Sequence, residues 1–389
     1  MESNSTSSRA LALGAVAAAG LYARSKYVDG CKVNVVSSGK DESAVVGMTG
    51  DGDRLTLHDV LYKDCPSLTD QSEAYMVPTP YLFTGLLQMF FAAANVKRRD
   101  TTSDIQYERE LLTVQDGGTI SLDWYPGKEP QAGEEKMPVV IMLCGAGGSS
   151  QEYFVRALAK TLAHGTIKFR VVVFNHRGTS MTPLTSARPY DMGFTSDFRE
   201  AVNALRGRID ADAKLFSVGF SMGANIMTKY IGEESDRCPL SAAVAVCCPF
   251  DVEIAGAAMN EKNFLNNKVF QPQVLSALKR SIKRISHLPP DPAWGLDMDK
   301  IMSSRQIWEI EEAYLSSSSN YVDDIRIPLD DRIAPPAGIP VSKFKQNPYL
   351  SLALVRHGGH LAVSSLGTLS PSVWFIRPIQ EFTSAMAKL

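Results

Sequence analysis

Strand-like and helix-like segments alternate from residue 138 onward, and this alternation limits the chain to few folds. The run Pro138–Cys144 is continuously apolar, which is typical of a parallel strand buried on both faces. Further strands are predicted at Phe169–Phe174, Leu215–Val218, Ala242–Cys247 and Leu350–Val355, with helix-like segments at Glu152–Ala163, Phe194–Arg206, Met222–Gly232 and Trp374–Met386. The alternation predicts a mostly parallel central sheet with helices on both faces.

A β-hairpin is predicted just before these alternating segments. The β-rich runs Arg109–Val114 and Thr119–Trp124 flank Asp116-Gly117-Gly118, a turn sequence typical of hairpins. The chain has 389 residues, of which 44% are apolar, so it can bury one large core. We therefore predict an α/β domain over residues 105–389, preceded by an N-terminal extension over residues 1–104.

Residues 249–324 interrupt the alternation and are predicted to form a helical insertion in this domain. Apolar residues recur there at helical spacing: Val274, Leu275, Leu278, Ile282 and Ile285. Basic residues fill the opposite side of the helix: Lys279, Arg280, Lys283 and Arg284. This pattern predicts an amphipathic helix. Two interpretations remain open: a surface helix with a solvated basic face, or part of a lid whose basic face contacts anionic lipid.

The sequence Gly219-Phe220-Ser221-Met222-Gly223 stands between a predicted strand and a predicted helix and matches Gly-x-Ser-x-Gly. In such a strand–turn–helix, the serine lies on a sharp, strained turn with its hydroxyl exposed above the sheet. The helix that starts at Met222 brings the positive end of its dipole close to the serine. We predict that Ser221 is a catalytic nucleophile. The alternative is a tight structural turn in a Rossmann-like protein.

A serine hydroxyl is a weak nucleophile until a base removes its proton, and in this arrangement an acid and then a histidine follow the serine. The sequence His357-Gly358-Gly359-His360 directly follows the last predicted strand. We predict His360 as the base, because the two glycines before it let the loop carry its side chain back over the sheet. His357 is then an ordinary loop histidine.

The acid is expected on the turn after the preceding strand, where Asp330 and Asp331 are the candidates. The pattern Asp-x-x-x-Pro favours Asp331, which would accept the Nδ1–H of the histidine. Only Ile325–Leu329 could form the strand that delivers this acid. That run is short and contains Pro328, which cannot donate to a central ladder, so a longer apolar run would be expected there.

A glycine-rich loop, Gly145-Ala146-Gly147-Gly148, follows the first buried strand. In hydrolases with a serine elbow, this loop and the residue after the serine each donate one backbone N–H to the oxyanion. We therefore predict that Ala146 and Met222 form the oxyanion hole. A dinucleotide site is the weaker interpretation, because the loop lacks both the Gly-x-Gly-x-x-Gly spacing and a Walker lysine.

An apolar stretch near the N-terminus, Ala10–Ala23, is followed by Arg24 and Lys26. It holds about 14 residues, fewer than the ~20 needed to cross a bilayer. Three interpretations stay open: a signal anchor, a targeting segment, or a helix that lies on a surface. Contact with a membrane through this stretch and through the basic face of the insertion helix is therefore a prediction to test.

Charge and cysteine content exclude several other classes of protein. The formal net charge is −2 without a dominant lysine and arginine stripe, so we do not expect a nucleic-acid partner. None of the six cysteines is spaced as Cys-x-x-Cys, which favours a reducing, intracellular compartment over a disulfide framework. The scattered histidines indicate no metal site, and no cofactor is expected.

Several motifs together carry a resemblance to one family. They are Cys65-Pro66-Ser67-Leu68, Pro78-Thr79-Pro80-Tyr81-Leu82, Gly85-Leu86-Leu87-Gln88, Phe174-Asn175-His176-Arg177-Gly178, Gly219–Asn225, Pro249-Phe250-Asp251 and His357–His360. From about Cys65 onward, the chain resembles the AB hydrolase 4 family, the YheT-like branch that includes the fungal medium-chain fatty acid ethyl ester synthase/esterases. The resemblance implies an α/β-hydrolase fold and a triad of Ser221, Asp331 and His360. Cys144 and Arg332 stand where the family usually has histidine and proline.

The predicted function is a serine carboxylic-ester hydrolase, of the esterase or lipase kind. Apolar segments in the extension and the insertion suggest lipid-like acyl esters as substrates, either acylglycerols or short- and medium-chain fatty acid esters, with acyl transfer to alcohols as a further reaction. The alternative is a catalytically impaired relative that binds a lipid or a protein partner, and it rests on the short segment before Asp330. Oligomeric state cannot be predicted from these patterns.

Overall fold

The computed structural model describes residues 27–82, 84–85, 87–89, 105–186, 188, 190, 192–261, 271–285, 297–306, 309, 331, 333–361, 364–365 and 372–389. The apolar stretch Ala10–Ala23 and the short strand predicted at Ile325–Leu329 lie outside these residues. None of the helices in the described part is long and apolar enough to cross a membrane.

A six-stranded sheet forms the centre of the domain. Its strands are β4 (Glu108–Thr113), β5 (Thr119–Tyr125), β6 (Val139–Leu143), β7 (Arg170–Asn175), β8 (Leu215–Phe220) and β9 (Ala242–Val246). Their order across the sheet is β4-β5-β7-β6-β8-β9. β4 and β5 run antiparallel to their neighbours, whereas β7, β6, β8 and β9 are parallel to one another. The predicted mostly parallel sheet and its leading hairpin are therefore confirmed.

Helices cover both faces of this sheet, as predicted. They are α3 (Tyr153–Ala163), α4 (Ser196–Arg206), α5 (Met222–Glu234) and, at the C-terminus, α10 (Ile376–Lys388). Successive side chains of a strand point to opposite faces. In β6, Ile141 packs in one buried cluster with Phe198 of α4, and Met142 packs in the other with Leu158 of α3. Both faces of β6 therefore pack against apolar side chains, which explains why the strand is apolar at every position.

The N-terminal extension packs against the sheet domain. It contains β1 (Asn34–Ser37), β2 (Val45–Met48), β3 (Arg54–Thr56), α1 (Leu57–Asp64) and α2 (Pro66–Thr69). Leu61 and Met76 are buried in the same cluster as α3 and α10. The strand predicted at Leu350–Val355 forms as β10 (Ser351–Leu354), and it pairs antiparallel with β1 of the extension. The extension therefore contributes a partner strand to the segment that leads into His360.

The predicted insertion contains α6 (Val252–Asn260), α7 (Gln271–Ile285) and α8 (Met298–Ser303). α7 is the expected amphipathic helix, and its Leu275 and Ile282 are buried against Ile301 of α8. Lys279 on the basic side of α7 donates to the carbonyl of Met302 at 2.8 Å. Part of the basic face of α7 is thus used to hold α8. The remaining α-helix is α9 (Val341–Gln346), and the remaining strands are β11 (Ser364–Ser365) and β12 (Ser372–Val373).

Candidate active site

Ser221 lies on the tight turn between β8 and α5. Its backbone angles are φ 52° and ψ −122°, a region that residues other than glycine rarely adopt and that costs about 1–3 kcal/mol. The Ser221 N–H donates to the carbonyl of Val246 on β9 at 2.8 Å, and the Ser221 carbonyl accepts from Ala224 N at 2.9 Å. The adjoining strand and helix therefore hold the serine in a strained conformation above the sheet.

The two glycines of the Gly-x-Ser-x-Gly motif lie where no side chain fits. A Cβ at Gly219 would be 2.5 Å from the Cα of Ala224, and one at Gly223 would be 2.5 Å from the carbonyl oxygen of Cys144. These contacts are with backbone atoms, which cannot move aside as a flexible side chain can. The motif is therefore required by the packing of α5 against β8 and against the end of β6.

Ser221, His360 and Asp331 form a continuous hydrogen-bonded chain. The Nε2 of His360 lies 2.7 Å from the Oγ of Ser221, and its Nδ1 lies 2.8 Å from Oδ2 of Asp331. An ionised carboxylate only accepts hydrogen bonds, so Nδ1 carries the proton and Nε2 accepts from the serine hydroxyl. The side chains of His360 and Asp331 are 9% and 0% exposed, so this hydrogen bond is shielded from bulk water.

Asp331 is held by the backbone of the residues that follow it as well as by His360. Its Oδ1 accepts from the backbone N–H of Ile333 at 2.8 Å and of Ala334 at 3.0 Å. This local Asx-type turn holds the carboxylate in place. The carboxylate therefore reaches the histidine even though the apolar run before it in the sequence is short. Asp330, the other candidate, lies outside the described residues.

The glycines before His360 have two roles. Gly358 has φ 142°, a conformation that favours glycine. A Cβ at Gly359 would lie 2.3 Å from the carbonyl oxygen of Gly85 in the N-terminal extension. The sequence predicted conformational freedom at this loop, and the structure adds a close approach to the extension. His357, the other histidine of the motif, stacks on Tyr27 with a centroid separation of 5.7 Å.

The glycine-rich loop after β6 passes directly over the serine. A Cβ at Gly145 would be 3.1 Å from the Cβ of Ser221. Within the loop, Gly147 N–H donates to the Tyr190 hydroxyl at 3.0 Å and Gly148 N–H donates to the Gly145 carbonyl at 3.0 Å. The N–H groups of Ala146 and Met222 donate to no other group in the described part of the chain. Both predicted oxyanion donors therefore remain available for a ligand.

Cys247, the last residue of the predicted strand Ala242–Cys247, lies beside Asp331. It follows β9, has φ 51°, and its side chain hydrogen-bonds to the Asp331 carboxylate. Burial, and next the negative charge of Asp331, raise the pKa of this thiol well above its usual value. The thiol therefore stays protonated and donates to the carboxylate. The available sequence signal was its position at the end of a predicted strand.

Among the described residues, one group of side chains could bring metal-ligating atoms together. The ligand atoms of Cys247, Asp331 and His360 lie within 4.8 Å of one another. Both ring nitrogens of His360 are already engaged, one by Ser221 and one by Asp331. The thiol of Cys247 is protonated, and a metal ion requires the thiolate. The group is therefore better suited to proton transfer than to metal binding.

The architecture and the comparisons define the class of the protein. A mostly parallel sheet carries a serine at the strand–helix turn after β8, and a histidine on the loop after β10 reaches this serine, as in an α/β-hydrolase. A family model described as alpha/beta hydrolase fold matches residues 138–274. The chain therefore has the α/β-hydrolase fold.

Three curated relatives show what the chain is similar to. Medium-chain fatty acid ethyl ester synthase/esterase 2 of Saccharomyces cerevisiae is 25% identical over 90% of this chain and 94% of its own length. Embryogenesis-associated protein EMB8 of Picea glauca is 30% identical over 66% of this chain and 61% of its own length. Monoacylglycerol lipase of Saccharomyces cerevisiae is 30% identical over 67% of this chain and 62% of its own length. The chain thus spans under two thirds of the last two proteins. Relatives named as an esterase and a lipase support a hydrolase.

Proposed function

We propose that the protein is a serine carboxylic-ester hydrolase that acts on lipid-like acyl esters. The observation that carries the proposal is the hydrogen-bonded chain from Ser221 Oγ through His360 to Asp331. The strained turn at Ser221 and the available N–H groups of Ala146 and Met222 support it further. Together these groups could supply a nucleophile, a base, an acid that orients the base, and two oxyanion donors.

The proposed reaction has two halves. Ser221 Oγ attacks the acyl carbon while its proton passes to Nε2 of His360, and Ala146 and Met222 donate to the oxyanion. The bond to the alcohol then breaks and His360 returns the proton to the departing oxygen, leaving an acyl-serine. Water attacks this ester in the same way, its proton passes through His360 to Ser221, and the carboxylic acid leaves. Asp331 holds His360 in the Nδ1–H tautomer throughout.

The substrate class rests on the relatives. The names of two yeast relatives refer to a monoacylglycerol and to medium-chain fatty acid ethyl esters. Either substrate joins an uncharged acyl chain to an alcohol, which the proposed chemistry accepts. If an alcohol replaces water in the second half, the same acyl-serine gives a new ester, so transfer to ethanol is part of the proposal. We further propose that residues 249–324 form a lid over the acyl chain.

A series of p-nitrophenyl esters with acyl chains of increasing length tests the proposed function. We expect saturable hydrolysis that prefers short or medium chains, and formation of an ethyl ester when ethanol is added. Ser221→Ala should lack both reactions while keeping the same melting temperature. A folded wild-type protein that hydrolyses neither these esters nor monoacylglycerol would contradict the proposal.

The alternative of an impaired relative finds little support in the geometry. That idea rested on the short run before Asp330, which left it open whether the acid could reach the histidine. The hydrogen-bonding distance between Asp331 and His360 favours the active hydrolase over this alternative. Membrane contact through residues 10–23 stays a proposal, which a flotation assay with anionic vesicles tests. The protein should float with the vesicles, and deletion of residues 1–26 should abolish this flotation.

A further inference from the structure

The glycine-rich loop after β6 needs support from outside itself. A donor to an oxyanion is effective only if it is held in place before the reaction. Residues 145–148 include three glycines, and Gly147 has φ 69°, so the loop has little stiffness of its own. A displacement of about 1 Å in an active site can cost about 10²-fold in rate. The groups that hold this loop therefore bear on catalysis.

Asn175, at the end of β7, holds the far end of the loop. It is fully buried, and its Oδ1 accepts from the backbone N–H of Ser150 at 2.9 Å. Its Nδ2 donates to Oδ2 of Asp123 at 2.8 Å. The same carboxylate oxygen accepts from the Ser150 hydroxyl at 2.5 Å. Ser150 is thus fixed through both its backbone and its side chain.

His176, the next residue, holds the near end. It is 2% exposed and hydrogen-bonds to the backbone of Cys144, where the loop begins. Its Nε2 has no partner among the described residues, so Nδ1–H is the donor to the Cys144 carbonyl. Burial lowers the pKa of His176 to about 4. At neutral pH the ring therefore carries one proton, on Nδ1, and donates it to the start of the loop.

Tyr190 holds the middle of the loop. Its ring stacks on His176, with centroids 4.7 Å apart and planes 15° from parallel. Its hydroxyl accepts the N–H of Gly147 at 3.0 Å. Because His176 supports the ring that presents this hydroxyl, one histidine acts on the loop at two points. Ala146, between the two supported positions, keeps its N–H without a partner in the described residues.

We propose that Asn175, His176 and Tyr190 form a clamp that positions the glycine-rich loop after β6. The clamp is built on the motif Phe174-Asn175-His176-Arg177-Gly178. The clamp holds Cys144, Gly147 and Ser150 and thereby aims the N–H of Ala146 at the carbonyl oxygen of the substrate. These are positioning residues, since none of them contacts reacting atoms. The clamp proposal rests on the proposed function, because it assumes that the loop donates a hydrogen bond to the oxyanion formed during ester hydrolysis.

Two substitutions that keep an aromatic ring in place separate the contacts. Tyr190→Phe keeps the ring stacked on His176 and removes the acceptor for Gly147 N–H. His176→Phe keeps an aromatic ring at the stack and removes the donor to Cys144. Tyr125→Phe is the matched control, because it removes a hydroxyl that bonds His164 at 2.9 Å. Tyr125 pairs with Val171 at the opposite end of β7 from Asn175.

The first readout combines steady-state ester hydrolysis with the binding affinity for a trifluoromethyl ketone. The serine adds to this ketone to form an oxyanion. In the two clamp variants, kcat should fall at least about tenfold with KM within twofold, and ketone affinity should fall in parallel. A merely structural role would not separate kcat from KM in this way. The Tyr125→Phe control should match the wild type in all three quantities.

The second readout does not depend on catalysis. Amide hydrogen exchange of a peptide spanning residues 144–150 should be at least about tenfold faster in both clamp variants than in wild type and control. Unchanged exchange, or unchanged kcat and ketone affinity in an active enzyme, would overturn the clamp. An inactive wild-type protein with faster exchange in the variants would instead overturn the proposed function, and with it the catalytic purpose of the clamp.

Discussion

Oδ2 of Asp331 lies 2.8 Å from Nδ1 of His360, while Oδ1 of the same carboxylate accepts two backbone N–H groups. The two oxygens thus have different tasks: one is anchored locally and the other orients the histidine. This arrangement explains how an acid preceded by a short apolar run can still complete the chain to Ser221. It also makes the identity of the acid testable.

Asp331→Asn should lower kcat by about 10⁴-fold, by the precedent of serine proteases, because the amide favours the wrong tautomer of His360. Ester hydrolysis at saturating substrate measures the effect. Asp330→Asn is the matched control, since it makes the same chemical change one residue away. If Asp330→Asn abolished activity and Asp331→Asn did not, the assignment of the acid would be wrong.

Gly219→Ala should destabilise the fold by about 1–3 kcal/mol or more, because the added Cβ would lie 2.5 Å from the Cα of Ala224. Urea unfolding measures this change. Gly256→Ala makes the same substitution in α6, where a Cβ would meet nothing within 4 Å. It should stabilise the protein by about 0.5–1 kcal/mol, as expected for glycine in a helix. Equal stabilities for the two variants would contradict the packing described at the serine turn.

Gly359→Ala should reduce activity more than stability. Its Cβ would lie 2.3 Å from the Gly85 carbonyl oxygen, so the loop that carries His360 must move away from the extension. We expect kcat to fall at least about tenfold, since small displacements of catalytic groups are costly. The measurement compares kcat with the melting temperature. Unchanged kcat would show that the extension does not position His360.

The burial of His176 predicts a specific pH dependence of stability. Its pKa is about 4 in the folded protein, below the value near 6.5 of an unfolded chain, so the unfolded state binds more protons between these pH values. Stability should therefore fall as the pH drops from 6.5 to about 4, by up to about 3 kcal/mol from this group.

Urea unfolding of wild type and His176→Phe from pH 7.5 to 4 isolates this contribution. Other groups titrate in both proteins, so the difference between them is the informative quantity. The wild type should lose stability relative to the variant as the pH falls. Tyr190→Phe, which keeps the buried histidine, should follow the wild type. Parallel curves for wild type and His176→Phe would contradict a buried, neutral His176.

The sequence predicted the parts of this structure that are coded locally. The alternation of strands and helices, the hairpin, and the turn at Ser221 all follow from periodicity and from glycine spacing within short windows. The glycines at 219 and 223 could be interpreted because a strand and a helix adjoin them. Fold class and the candidate nucleophile are therefore accessible without a structure.

Contacts between distant segments could not be predicted in this way. The pairing of β10 with β1 joins residues more than three hundred positions apart, and no periodic pattern specifies such a partner. The hydrogen bond from Cys247 to Asp331 and the stacking of Tyr190 on His176 likewise depend on how loops meet at the sheet edge. These contacts support the site, and they arise only when the chain is folded.

The central claim is that Ser221 is an activated nucleophile, and covalent labelling tests it most directly. The folded wild-type protein should react with a fluorophosphonate to give one added phosphonyl group, and peptide mass spectrometry should place it on Ser221. Ser221→Ala should not be labelled, and His360→Ala should be labelled far more slowly. A folded wild-type protein that stays unlabelled, or a label on any residue other than Ser221, would contradict the account.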